Sequence, residues 1–166
     1  MKKLPVTLHE RVLKNGMKVV IVHKPDYVKS LFMLGIPAGG TSLYYEQDGK
    51  VSRFRSGCAH FLEHQMFRLN GEDVTPLLAS MQAQTNAFTD FTQTCYYVVT
   101  AAKPWKPLKT LIEFVQTLDI TDQSVQKEKG IILSEYDMYD SSPDSRIMTS
   151  MMESLYQNHP INTEVL

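Results

Sequence analysis

Apolar residues along this chain recur with two periods, one of two residues and one of three to four, and the switches between them predict both strands and helices. Val12-Leu13 and Met17 to Val22 flank Asn15-Gly16, the dipeptide preferred by a type I′ turn, and so predict a β-hairpin. Ser30 to Ile36 predicts a further strand. Gly35 within it, and Ala38, Gly39 and Gly40 after it, are small enough for a tight turn or a close approach of two backbones. Asn70-Gly71 predicts a turn, and Thr75-Pro76 an N-cap with proline at the first position of a helix through Leu77, Leu78 and Met81. Asn86 to Thr89 and Thr94 to Thr100 read as two strands around a turn near Asp90 to Gln93. Beyond the break at Lys103 to Pro107, the spacing of Leu108, Leu111, Ile112, Val115 and Leu118 predicts an amphipathic helix with that stripe in the core. Thr121-Asp122 caps the next helix, and Ser142-Pro143-Asp144 starts a last one with Ile147, Met151 and Leu155 on one face. Met138, Met148, Met151 and Met152 are expected to pack in the core, with part of their face exposed if the chain is a fragment. The fold class that follows is α+β, a mostly antiparallel sheet packed against helices.

Composition narrows the functional classes. With 166 residues, 43% of them hydrophobic, no internal repeat and no low-complexity segment, the chain fits one globular domain with a core. Its 17 basic and 18 acidic residues give no concentrated positive charge, so nucleic acid is excluded as a partner. No run approaches the ~20 apolar residues of a membrane span. Met1-Lys2-Lys3 resembles the charged start of a signal peptide, but Pro5, Thr7, His9 and Glu10 interrupt any apolar run after it. Two cysteines suit a reducing compartment, and the expected location is cytoplasmic. Both Cys58 and Cys95 are expected to be buried thiols. Cys58 precedes His60 by two positions and points to another side of a helix.

The chemistry is concentrated in His60-Phe61-Leu62-Glu63-His64. On a helix, side chains at i and i+4 share a face, so both imidazoles can present a ring nitrogen to one metal ion. Glu63 lies near the same stripe and is placed as a general base toward water at the metal. Ser56-Gly57 supplies the expected N-cap, with Phe61, Leu62, Met66 and Phe67 as apolar packing. Downstream, Glu128 and Glu135 are seven residues apart on one face of a predicted helix. Glu135 can be the third protein ligand, leaving the fourth position to water, as in open catalytic zinc sites. Glu128 would orient a ligating imidazole by accepting its other ring N–H.

With these residues in view, the chain resembles the pitrilysin/insulinase family of zinc peptidases, which includes mitochondrial processing peptidases. His60 to His64 matches the inverted His-x-x-Glu-His motif of that family. Gly57 to Ala59, Gln84 to Asp90 with Thr94 to Tyr97, Leu13 to Met17 and Ile36 to Gly40 are similar as well, so the likeness runs from about Leu13 to Pro160. The resemblance implies one Zn2+ per chain on His60, His64 and Glu135, with Glu63 as catalytic base and Glu128 as supporting carboxylate. It implies that Asn86 and Ala87 face the backbone of a bound peptide. Cys58 stands where the family often has an aliphatic residue and Gln65 where methionine is common, neither touching the expected chemistry. Complete members carry a second, related half that closes on the substrate. Residues 1–166 are therefore expected to be an N-terminal zinc-binding peptidase domain, incomplete at its C-terminal end, whose missing half is in the same polypeptide or a homologous partner subunit. The implied function is a zinc-dependent endopeptidase acting on peptides or small unfolded proteins; the alternative is a non-catalytic peptide-binding or scaffold subunit of the same fold. An incomplete sheet leaves a strand edge unpaired, which predicts self-association.

Overall fold

The computed structural model describes residues 6–162 and Val165; Met1-Lys2-Lys3 lies outside the described residues. The architecture is α+β, with all strand pairs antiparallel. Strands β1 (Thr7–Val12) and β2 (Lys18–His23) form the expected hairpin, longer on its first arm than the sequence suggested. Its turn is not type I′. Only Gly16 is left-handed (φ 85°), and the Gly16 N–H donates to the Leu13 carbonyl at 3.0 Å. That is a three-residue loop ending in a left-handed glycine. True type I′ backbones occur at Asp48-Gly49 and Asn70-Gly71, where both residues have positive φ. The first joins β4 (Tyr44–Gln47) to β5 (Lys50–Arg53), a hairpin the expected elements did not include; the second joins β6 (Arg68–Leu69) to β7 (Glu72–Asp73).

The central sheet has the order β3-β9-β8, with β3 at Ser30–Ile36, β8 at Ala83–Thr89 and β9 at Thr94–Thr100. Strand β9 lies between the other two and is buried nearly throughout. At the β8–β9 turn, Asp90 Oδ1 accepts from the N–H groups of Thr92 (2.7 Å) and Gln93 (2.9 Å). The loop after β3 presses on this turn, with the Gly40 N–H donating to the Asp90 carbonyl at 2.9 Å. A Cβ on Gly39 would collide with that carbonyl, so the close backbone approach anticipated for the glycines occurs here.

Among the described residues five α-helices follow the expected order. Helix α1 (Cys58–Gln65) carries the histidine motif, and α2 spans Val74–Ser80. The α2 cap is Asp73, which accepts from Thr75 N–H at 2.7 Å, so Thr75 is inside the helix and Pro76 is its third residue. Asp73 reaches the free N–H groups first, and proline is tolerated anywhere in a first turn. Helix α3 (Trp105–Phe114) buries Pro107, Thr110, Leu111 and Phe114 rather than the whole stripe proposed from spacing. The helix ends before Leu118, which is 70% exposed, and Ile112 is exposed too. Helices α4 (Asp122–Ser141) and α5 (Pro143–Leu155) begin at the expected caps, Thr121 and Ser142. Helix α5 buries no residue, and Met138, Met148 and Met151 are exposed, contrary to the core role expected of the methionines. Nothing among the described residues packs over that face tightly enough to bury it.

The core joins α1, α2, α3 and the sheet through Met66, Val74, Leu78, Ala83, Tyr96, Val98, Leu111 and Phe114. Phe67 stacks on Phe114 with centroids 5.5 Å apart, and Tyr96 meets Phe114 edge-on. Each fully buried apolar side chain of this kind contributes about 1.5–3 kcal/mol. This cluster fixes the C-terminal end of α1 against β9, and so fixes where the histidines project. Among the described residues no helix is long and apolar enough to cross a membrane.

Candidate metal centre

The N-cap of helix α1 is Gly57, within the expected Ser56-Gly57 pair; its left-handed backbone (φ 79°) redirects the chain, and no side-chain hydrogen bond, from Ser56 or another residue, caps the helix. His60 and Glu63 are buried and His64 is half-buried. The two imidazoles meet edge-on with centroids 4.6 Å apart, the consequence of i, i+4 spacing on one helix turn. Helix α4 runs past them. Glu135 Oε2 lies 3.6 Å from His60 Nε2 and 3.5 Å from His64 Nε2. A tetrahedral ion with bonds of about 2.0–2.2 Å places its ligand atoms roughly 3.3–3.6 Å apart. The three donors therefore fit zinc, and they are the one His/Cys/Asp/Glu group among the described residues that converges in this way.

Glu128, about two turns nearer the start of α4, meets His64 Nδ1 at 2.7 Å. It accepts that ring N–H and leaves His64 Nε2 as the metal-facing lone pair. Burial, reinforced by the adjacent His64, holds the His60 pKa below its ordinary value, favouring the neutral imidazole a metal requires.

Glu63 does not join the donor group. Its Oε2 accepts from the Thr89 hydroxyl at 2.7 Å, which ties α1 to the end of β8. Thr89 faces Thr94 across the last β8–β9 pair, the two hydroxyl oxygens 3.3 Å apart, and Thr94 donates to the Ala38 carbonyl at 2.8 Å. With the Thr94 proton directed there, the Thr89 proton is directed to the carboxylate. Burial raises the pKa of Glu63, and the Thr89 bond opposes that rise by stabilising the charge. The same burial, with the Glu63 charge nearby, pushes the Tyr96 phenol far up.

Thr89 went unrecognised in the sequence, although it lies inside the Gln84 to Asp90 stretch. The alternation of β8 puts it on one face with Ala87, but which face meets α1 is a tertiary fact. Thr89→Val is expected to lower turnover by the complete polypeptide about tenfold, or ~1.4 kcal/mol of barrier. Thr89→Ser should retain it, and zinc content should not change; steady-state kinetics beside elemental analysis measures both.

Asn86 and Ala87 lie on β8, an edge of the central sheet among the described residues. Asn86 is exposed, and its Oδ1 accepts the Ala87 N–H at 2.8 Å, so a peptide pairing there would displace a side chain already bonded to that donor. Ala87 turns its methyl toward the core. Cys95 is buried as expected, whereas Cys58 is exposed at the first turn of α1; neither is paired. A cavity of about 500 Å³ between α4, α5 and the β8–β9 turn, lined by Phe91, Tyr136, Tyr139 and Met148 among others, contains none of the three donors.

Comparison with known proteins decides the family. The profile of the insulinase family, peptidase family M16, matches residues 18–166. The chain belongs to this family. Over 99% of its length it is 34% identical to the uncharacterized zinc protease YmfH of Bacillus subtilis, of which it covers 39%. A crystal structure of an M16-like peptidase candidate from Alicyclobacillus acidocaldarius superposes with a TM-score of 0.90 at 33% identity, covering 98% of this chain and 38% of the other. Pitrilysin shares the fold, with a TM-score of 0.74 at 21% identity over 96% of this chain and 17% of its own. The insulinase-family chain thus spans about two-fifths of the length of the curated relative and of the Alicyclobacillus protein it matches. Its relatives named as zinc proteases support a peptidase type of function.

Proposed function

We propose that residues 1–166 are the N-terminal zinc-binding domain of a zinc-dependent endopeptidase that hydrolyses peptides or small unfolded proteins. The observation that carries this is the convergence of His60, His64 and Glu135, with the Glu135 carboxylate at tetrahedral spacing from both imidazoles and Glu63 beside them but outside the donor group. His60, His64 and Glu135 would hold one Zn2+, and Glu128 would orient His64. The ion, when bound, supplies polarisation of the scissile carbonyl and acidification of water. Glu63 takes the proton of the attacking water on the carboxylate oxygen not held by Thr89, and passes a proton to the leaving amine. The peptide lies extended along β8, adding main-chain hydrogen bonds at Asn86 and Ala87.

Water exclusion and substrate closure fall to the missing half, carried in the same polypeptide or by a homologous partner subunit. Until that half is present, the outer edge of β3, where Leu31 and Met33 are exposed, is a template for self-association. Two free cysteines, one of them exposed, suit the reducing cytoplasm we assign to the enzyme. A non-catalytic scaffold would have no use for Glu63 buried and hydrogen-bonded beside three metal donors. Treating the complete polypeptide with a zinc chelator is expected to abolish peptide hydrolysis, and stoichiometric zinc to restore it; hydrolysis that persists at undetectable zinc content would reject the proposal.

A further inference from the structure

Helix α4 carries both carboxylates of the metal centre and yet has almost no share in the apolar core. Of its 20 residues only Ser124 is buried, and none belongs to the core cluster. Val125, Glu128, Ile132 and Glu135 are half-buried along the side that meets α1. Ser124 itself is 6% exposed, and it faces Gln65, the last residue of α1, which is 2% exposed. The Ser124 hydroxyl donates to Gln65 Oε1 at 2.7 Å, and the Gln65 amide reaches back to the Ser124 carbonyl at 3.4 Å. A capping box holds Ser124 in turn, its N–H donating to Thr121 Oγ1 at 3.1 Å and its Oγ accepting from the Thr121 N–H at 3.0 Å.

We infer that the Gln65–Ser124 pair positions the metal ligands, by locking the register of α4 on α1. This rests on the metal-centre reading above. Ser124, Glu128 and Glu135 stand at i, i+4 and i+11, one stripe of a helix, since 11 residues make about three turns. Along the opposing helix the contacts run backwards, Ser124 to Gln65, Glu128 to His64, and Glu135 to His64 and His60. The helices are therefore antiparallel and keyed at three levels. A slip by one residue would move Glu135 by ~1.5 Å and turn it by about 100° away from the imidazoles. Before metal arrives, the Glu128–His64 contact at 2.7 Å opposes that slip at one level and the Gln65–Ser124 pair at a second, whereas half-buried apolar contacts are not directional. A buried polar pair is directional, and it has no stability advantage over an apolar pair of the same shape. Gln65, set aside in the sequence as remote from the chemistry, is thus a positioning residue.

The test measures zinc affinity by chelator competition, the absorption spectrum of the cobalt(II) form, and melting of the metal-free form. It compares the native full chain with Gln65→Met, Ser124→Ala, both together, and Leu111→Ala as a control that weakens the core without touching α4. Each single change should weaken zinc binding about tenfold, as loss of a supporting partner of a metal ligand does. The double variant should be no weaker than either single one, both should alter the cobalt spectrum, and Leu111→Ala should lower the melting temperature with zinc affinity held within about twofold. Affinity within about twofold in Gln65→Met and Ser124→Ala overturns the inference, as does affinity that tracks melting temperature in every variant, Leu111→Ala included. If Gln65→Met fails to fold, Ser124→Ala decides, since it removes a single hydroxyl. A native chain that binds no zinc rejects the metal-centre reading and this inference with it.

Discussion

Glu63→Gln is expected to lower peptide hydrolysis by the complete polypeptide by about 10²- to 10⁴-fold, the range attributable to one general base, while zinc content stays unchanged. The amide keeps the shape of the carboxylate and can still accept from Thr89, but it cannot take a proton from water. Turnover at the native level in a zinc-loaded variant would remove Glu63 from the mechanism. The same substitution has a second signature in the metal-free protein. Burial raises the pKa of Glu63 in the fold above the ordinary carboxylate value of 4.5. Above the folded pKa the charge is present in both states, and the whole cost of burying it falls on the fold. As pH falls through the folded pKa the fold binds the proton first, and the cost is relieved by the time pH reaches the unfolded value. Glu63→Gln should therefore raise the melting temperature of the metal-free chain at pH 7 to 8, by roughly 2–4 °C for each ~1 kcal/mol. That gain should shrink toward pH 4.5, and thermal scans across this range measure it.

Glu135→Ala is expected to weaken zinc binding by more than about 100-fold, beyond the 10- to 100-fold typical of losing a supporting carboxylate. The reason is geometric: Glu135 Oε2 is within 3.6 Å of both metal-facing nitrogens, and two imidazoles alone leave half of a tetrahedral sphere to water. Glu128→Gln should fall in the milder range, because its contact is with His64 Nδ1 and it contributes no donor to the group. Competitive titration with a chromogenic chelator ranks the two. Zinc retained in Glu135→Ala but lost in Glu128→Gln would exchange the roles given to these glutamates.

The motif residues were legible because their spacing and the helix period coincide. His60 and His64 at i, i+4, and Glu128 and Glu135 at i, i+7, can share a face only on helices, and strong caps at Thr121 and Ser142 marked where two helices begin. Boundaries and burial were less legible. Pro107, Thr110, Leu111 and Phe114 satisfy the helix period as well as Leu108, Leu111, Ile112 and Val115 do, so periodicity could not choose the buried stripe of α3. Asp48-Gly49 was the available signal for the β4–β5 hairpin. The Asn15-Gly16 turn shows the converse, a preferred dipeptide in another turn type.

The sequence by itself determined the local elements, the inverted zinc motif and the pairing of two carboxylates on one helix, because caps, turns and helix faces depend on neighbours within a few residues. Tertiary structure decided that α4 lies against α1 with Glu135 between the imidazoles, that Thr89 holds Glu63, and that Gln65 meets Ser124. Those contacts join residues 26 to 75 positions apart, and periodicity has no information about which of two exposed faces a distant partner will cover.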